Sequence, residues 1–200
     1  MTTALLVAVV LASAGAAHAS VLYTRRAGFA KAKLSADSPT SIAVWKPPRW
    51  TVSLNAAIRG WNHQASRRLF VRVWKKTEAD VVLADGKDVG WAAACYDSSG
   101  AFDMFRAYAR CTVYLPYHGD TPATTWALVH EMGHTLGFVD HVHAYEYRRY
   151  VKANLDPRVC DDPSHPAYSP YNGIMSDCQA TSRFAGDAAA LVRAGYAETR

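Results

Sequence analysis

Three residues at close spacing carry chemistry in this chain. They are His130, Glu131 and His134, in the stretch HEMGHTLGFVDH at residues 130–141. On a helix, residues four apart share a face, so the two imidazoles aim at one point. Imidazole nitrogen is an ordinary zinc donor, and a water bound to such a metal loses its proton near neutral pH. Glu131, adjacent to His130, has the reach to accept that proton as a general base. A catalytic zinc takes three protein ligands, so one more is needed. Asp140 and His141 are the two candidates. Adjacent side chains of an extended segment face opposite ways, so only one of them is expected to bind. Gly137 stands where the helix must stop, and glycine tolerates the left-handed turn that would swing residues 140 and 141 back under the metal.

Other elements must hold this helix in place. Thr121 is a suitable N-cap, and Pro122 suits the first helical position. Upstream, WTVSLNA (50–56) has the β-branched content of a strand. It leads into a helix capped by Asn55, with Ala57, Ile58 and Trp61 at helical spacing. LFVRVW (69–74), ADVVLAD (79–85) and CTVYLPY (111–117) read as further strands, and FAGDAAALVRAGYA (184–197) reads as a helix. The expected order is strand, helix, three strands, then the metal-binding helix, which is an α+β arrangement. Residues 20–48 are either a propeptide or an N-terminal extension that supplies the first strand of the domain. Residues 49–200 are the catalytic domain.

The motif resembles a known family. HEMGHTLGFVD fits the metzincin pattern H-E-x-x-H-x-x-G-x-x-(H/D). The snapalysin-type small secreted proteases are similar in carrying aspartate at the last position, followed at once by histidine, as in Val139-Asp140-His141 here. The resemblance implies Asp140 as third ligand and His141 as its neighbour. It implies that Met175, in YNGIMSDC, is the methionine of a Met-turn that packs beneath the metal without coordinating it. Read alone, Met175 is a core gap-filler. The resemblance further implies a twisted mixed sheet with an edge strand over the active-site helix. A small C-terminal subdomain would contain the Met-turn and a terminal helix with Asp187 and Leu191. ADVVLADG would be the third strand. CTVYLPY would be the edge strand that takes an extended peptide, although the residues alone also suit an interior strand.

The implied activity is that of a zinc endopeptidase with one catalytic Zn2+, acting on proteins or peptides. Two alternatives stay open: a secreted binding module that keeps the fold without turnover, and a zinc hydrolase of a non-peptide amide. The intact Glu131 argues for turnover. Some family features are missing. Val142 follows the Asp-His pair where snapalysin-type enzymes have tyrosine, and Asp177 stands where astacin-like enzymes have one, so no oxyanion-stabilising tyrosine carries over. The segment 142–170 is also longer than in the small secreted proteases. No cysteine precedes Cys95, which excludes a cysteine-switch prodomain. The sequence is silent on calcium.

Composition agrees with export. Half of the 200 residues are hydrophobic, enough for one domain with a sizeable core. The net charge of +5 is spread out. The pairs Arg67-Arg68 and Arg148-Arg149 read as solvated surface, and no basic run argues for nucleic acid. Residues 1–19 combine an apolar run, Ala4 to Ala14, with an A-x-A signal ending at Ala19, hence a signal peptide and a secreted product. The run is too short for a membrane anchor. Cys95, Cys111, Cys160 and Cys178 form an even set, as in exported proteins. Local pairing gives Cys95–Cys111 and Cys160–Cys178. A cysteine zinc site lacks the C-x-x-C spacing. The expected species is a monomer.

Overall fold

The computed structural model of the protein describes residues 21–22, 26–87, 89, 92–103, 105–115, 119–139, 175 and 187–198. In chain order its strands are β1 (Val21–Leu22), β2 (Ile42–Trp45), β3 (Phe70–Arg72), β4 (Val81–Asp85), β5 (Ala92–Tyr96), β6 (Arg110–Leu115) and β7 (Phe138–Val139). Its helices are α1 (Thr51–Ala65), α2 (Pro122–Thr135) and α3 (Asp187–Arg193), with single 3-10 turns at Ala30–Ala32 and Lys76–Glu78. This is a mixed α+β architecture, as the motif order implied.

Five strands form one sheet in the order β3-β2-β4-β6-β5. The first four run parallel, and β5 is antiparallel to β6. Alternation sets the buried face: Ile42 and Val44 of β2, and Cys111, Val113 and Leu115 of β6, are buried, while the residues between them are only partly covered. α1 and α2 pack on this face. α1 contributes Leu54, Ala57, Trp61 and Ala65, a stripe at helical spacing. β1 and β7 form a separate two-stranded ladder. No helix among the described residues is long and apolar enough to cross a membrane.

The sheet differs from the sequence expectation in two places, and in a third it takes one of the two readings left open, a strand within residues 20–48. WTVSLNA is not a strand: Thr51 to Ala65 is one continuous helix, and Asn55 lies inside it rather than capping it. The β-branched pair Thr51-Val52 misled because the apolar positions that follow repeat at helical spacing, and burial of that stripe outweighs local propensity. Residues 42–45, inside the 20–48 stretch, form a strand next to the sheet's centre. Finally, CTVYLPY is not the edge strand. β6 lies between β4 and β5, and the edge on that side is β5, which the sequence reading did not find. Cys95 and Cys111 stand opposite each other in the β5–β6 register and are joined by a disulfide, as the local-loop argument expected.

The start of α1 is unusual. Its N-cap residue, Trp50, is left-handed at φ 61° and supplies no side-chain cap. Asp120, immediately before the N-cap of α2, fills the role from outside: its Oδ1 accepts the Ser53 N–H at 2.8 Å. The Thr125 hydroxyl donates to the Ser53 hydroxyl at 3.0 Å, so the two helix starts are tied together. Burial raises the Asp120 carboxyl, but hydrogen bonds from the Ser53 and Val52 N–H groups and from the Ser53 hydroxyl, with Lys46 nearby, outweigh it and hold the group below the usual carboxylate range. A carboxyl depressed in the folded state stabilises above its unfolded pKa, and this contribution is lost as pH falls through the folded value. Asp120→Ala is therefore expected to lower stability by about 1 kcal/mol at neutral pH. The difference from the parent should shrink as the medium is acidified to about pH 2, below both pKa values. Urea unfolding of both proteins at the two pH values reads this directly, and an equal gap at both would show that the cap is not charge-assisted.

Candidate metal centre

α2 begins as its sequence demands. The Thr121 hydroxyl accepts the Thr124 N–H at 3.1 Å, and Pro122 occupies the first turn. From Ala127 to Phe138 every residue is buried. A helix enclosed this fully normally carries apolar residues only, because polar groups lose water on burial. Here His130, Glu131 and His134 are 5%, 5% and 7% exposed. One donor atom from each lies within 4.8 Å of the others. The rings of His130 and His134 stand edge to face with centroids 5.1 Å apart, and Glu131 Oε2 is 3.9 Å from His134 Nε2. Trp126, one turn before His130, lies against that ring at 5.5 Å.

His134 Nδ1 lies 2.8 Å from the carbonyl oxygen of Phe138. A carbonyl only accepts, so Nδ1 is the donor; in the neutral ring Nε2 then keeps its lone pair, 3.9 Å from a Glu131 oxygen. This is the tautomer a metal-binding histidine needs, held by the kind of backbone carbonyl that orients such ligands. Two imidazoles and a carboxylate at this separation form a donor set that could hold a metal ion.

The turn at the end of α2 makes that hydrogen bond possible. Gly137 has φ +87°, the left-handed conformation expected for it. A side chain there would also stand 2.7 Å from Ala27 Cβ. The Gly137 N–H closes back on the His134 carbonyl at 2.9 Å, and β7 follows at once.

Beneath the helix, Gly133 faces Met175 and Trp61. A methyl group at Gly133 would run into Met175 Sδ and come within 3.3 Å of Trp61 Cζ2. Met175 is fully buried and packs against Gly133, which lies between the two histidines in the chain. Trp61 donates its indole N–H to the Val129 carbonyl at 3.0 Å and stacks on Phe138 at 6.1 Å. Asp140, His141, Cys160 and Cys178 lie outside the described residues. The sequence reading missed two contributors. The Phe138 carbonyl is main chain and leaves no mark in residue types. Trp61 was visible only as a helical core position.

No family model matches the chain, and no curated protein does. The structure of myroilysin resembles it with a TM-score of 0.38 and 18% identity, over 68% of this chain and 77% of that one.

The contact between Gly133 and Met175 can be tested by a double-mutant cycle. Gly133→Ala should gain helix propensity worth about 1 kcal/mol, yet lose about 1–3 kcal/mol to overpacking, for a net loss. Met175→Ala should lose about 2–5 kcal/mol by opening a cavity. The double variant should lose less than the sum, because the added methyl fills part of that cavity. Denaturant unfolding of the four proteins measures the coupling, and strict additivity would show that the two residues do not touch.

Proposed function

We propose that this chain is a secreted zinc-dependent endopeptidase of metzincin type. The observation that supports it best is the buried His130–Glu131–His134 cluster, with the His134 tautomer fixed for ligation. His130 and His134 would hold the ion through imidazole nitrogens, and Asp140 is proposed as third ligand. The turn at Gly137 and the start of β7 support that choice, because Asp140 is the next residue after Val139. His141 is the competing ligand. Met175, packed under Gly133, takes the part of the Met-turn methionine. When bound, zinc would polarise the scissile carbonyl and make water acidic enough to deprotonate.

Glu131 does the proton work. Its carboxylate accepts a proton from the attacking water and passes it to the leaving amine, so one group serves both halves of the reaction. Burial suits this task, since bulk water is kept from competing for the proton. β5 offers a place for an extended peptide. Among the described residues its outer side is met only near Tyr96 and Cys95, by the Tyr96–Phe102 bridge and the Asp103 N–H, which leaves Ala92–Ala94 for main-chain pairing. The apolar leader and the Cys95–Cys111 disulfide support export. A Cys160–Cys178 bridge, a monomeric state and the absence of a nucleic-acid partner complete the proposal.

Glu131→Gln is expected to keep metal and fold while losing hydrolysis about a hundredfold or more. Mass-spectrometric mapping of cleavage products from a denatured protein mixture, with metal analysis of parent and variant, measures both. Near-native cleavage by the variant would sink the assigned mechanism, and a metal-loaded parent that cuts no peptide bond would sink the peptidase reading. Asp140→Ala should weaken zinc binding far more than His141→Ala in a chelator competition, and the reverse order would move the third ligand to His141.

A further inference from the structure

The N-terminal residues reach the metal centre through the main chain. Leu22 pairs with Phe138 and Val21 with Val139 in the antiparallel β1–β7 ladder. Phe138 is the residue whose carbonyl accepts the His134 ring proton. Further along, the same segment is fastened at several points. Ala27 fills the space beside Gly137 that any side chain would need. The Gly28 carbonyl accepts the Tyr108 N–H at 2.9 Å, Lys33 Nζ donates to the Ala27 carbonyl at 2.9 Å, and the Leu34 N–H donates to the Gly195 carbonyl at 2.7 Å. The segment thus joins the end of α2, the approach to β6 and the turn after α3.

A two-residue strand such as β7 has no other strand partner among the described residues. Without β1 its main chain would be held by the turn at Gly137 and by the buried Phe138 ring against Trp61, with no ladder hydrogen bonds to fix its carbonyls. We propose that β1 is a positioning element of the metal centre: by pairing with β7 it holds the Phe138 carbonyl on the imidazole N–H of His134 and thereby sets metal affinity. The inference rests on the reading of His134 as a ligand. It makes the N-terminal segment a working part of the centre, so that a cut after Leu22 weakens metal binding while the histidines stay intact. Coupling between two sites is reciprocal, so metal binding must strengthen the β1–β7 pairing in turn.

Of two consecutive antiparallel pairs, one exchanges both of its main-chain hydrogen bonds. Replacing Val21 and Leu22 together by proline therefore removes at least one ladder donor. In the full chain, V21P/L22P is expected to weaken zinc binding about 10–100-fold, the usual cost of losing a group that orients a ligating histidine. V21I/L22V keeps both donors and the strand propensity and should bind zinc like the parent. Competition with a chromophoric chelator gives the affinities. Unchanged affinity in V21P/L22P overturns the inference and leaves the metal centre standing; a parent chain that binds no zinc overturns both. Hydrogen exchange on the unmodified chain tests the coupling a second way, independent of whether the proline variant folds. Zinc should slow ladder amides in residues 21–22 and 138–139 together, and slowing confined to 130–139 would refute the coupling.

Discussion

The hydrogen bond from the His134 imidazole to the Phe138 carbonyl constrains the rest of the structure. It spans 2.8 Å and four residues. It can form only if the helix stops within one turn of His134 and the chain doubles back. Stopping there requires a left-handed residue at 137, and the nearness of Ala27 leaves no room for a side chain in any conformation. Glycine is thus required twice over, once by φ and once by space. With that turn made, the ring is held in one tautomer, and Nε2 faces Glu131 rather than solvent.

A buried polar trio needs support on every side, and the layers of the fold supply it. Above α2 stands the sheet, with the buried positions of β6 facing inward. Below it, Trp61 and Met175 approach the one helical position, Gly133, that has no Cβ to keep them away. Trp61 also donates to the Val129 carbonyl, which ties the helix beside His130 to α1. The start of α1 is itself completed by Asp120, from the segment that leads into α2. Each helix therefore fixes the other, and both histidines follow directly on the second of these ties, at Val129. A ligand pair held this way needs little reordering when an ion arrives, which favours tight binding.

The parts of this arrangement that were legible in the sequence are those decided locally. The Thr121 cap, Pro122, the helical spacing of the two histidines and the left-handed glycine each depend on a few adjacent residues, and all stand as read. β3 and β4 were visible as short β-branched runs bounded by polar residues. What escaped was decided at a distance. The first turn of α1 is capped by a residue 67 positions away, so nothing near Trp50 announced a helix start. The edge position of β5 was hidden because Ala92, Ala93 and Ala94 carry almost no strand propensity. With β5 unseen, nothing in the residues corrected the family resemblance, which put β6 at the edge. The carbonyl of Phe138 belongs to every residue type alike.

The weakness of β5 as a strand also accounts for the place of the disulfide. An alanine-rich segment gains little from cross-strand packing, and at the end of a sheet it has a neighbour on one side only. Cys95 and Cys111 stand directly opposite, buried, in the ladder that joins it to β6. Closing a loop of 16 residues stabilises by about 3 kcal/mol in the chain-entropy model, more than the side chains of three alanines would add. The turn that follows is closed as well: Asp97 Oδ1 accepts the Ser99 and Ala101 N–H groups, and its hydrogen bond with the Ser99 hydroxyl is the first cause of a carboxyl held below its usual range. The outer edge is therefore set by covalent and polar ties, and its residues Ala92–Ala94 carry small side chains. An edge held rigid in this way can pair with an extended chain without first paying the entropy of its own ordering, which is the condition for main-chain recognition to be effective.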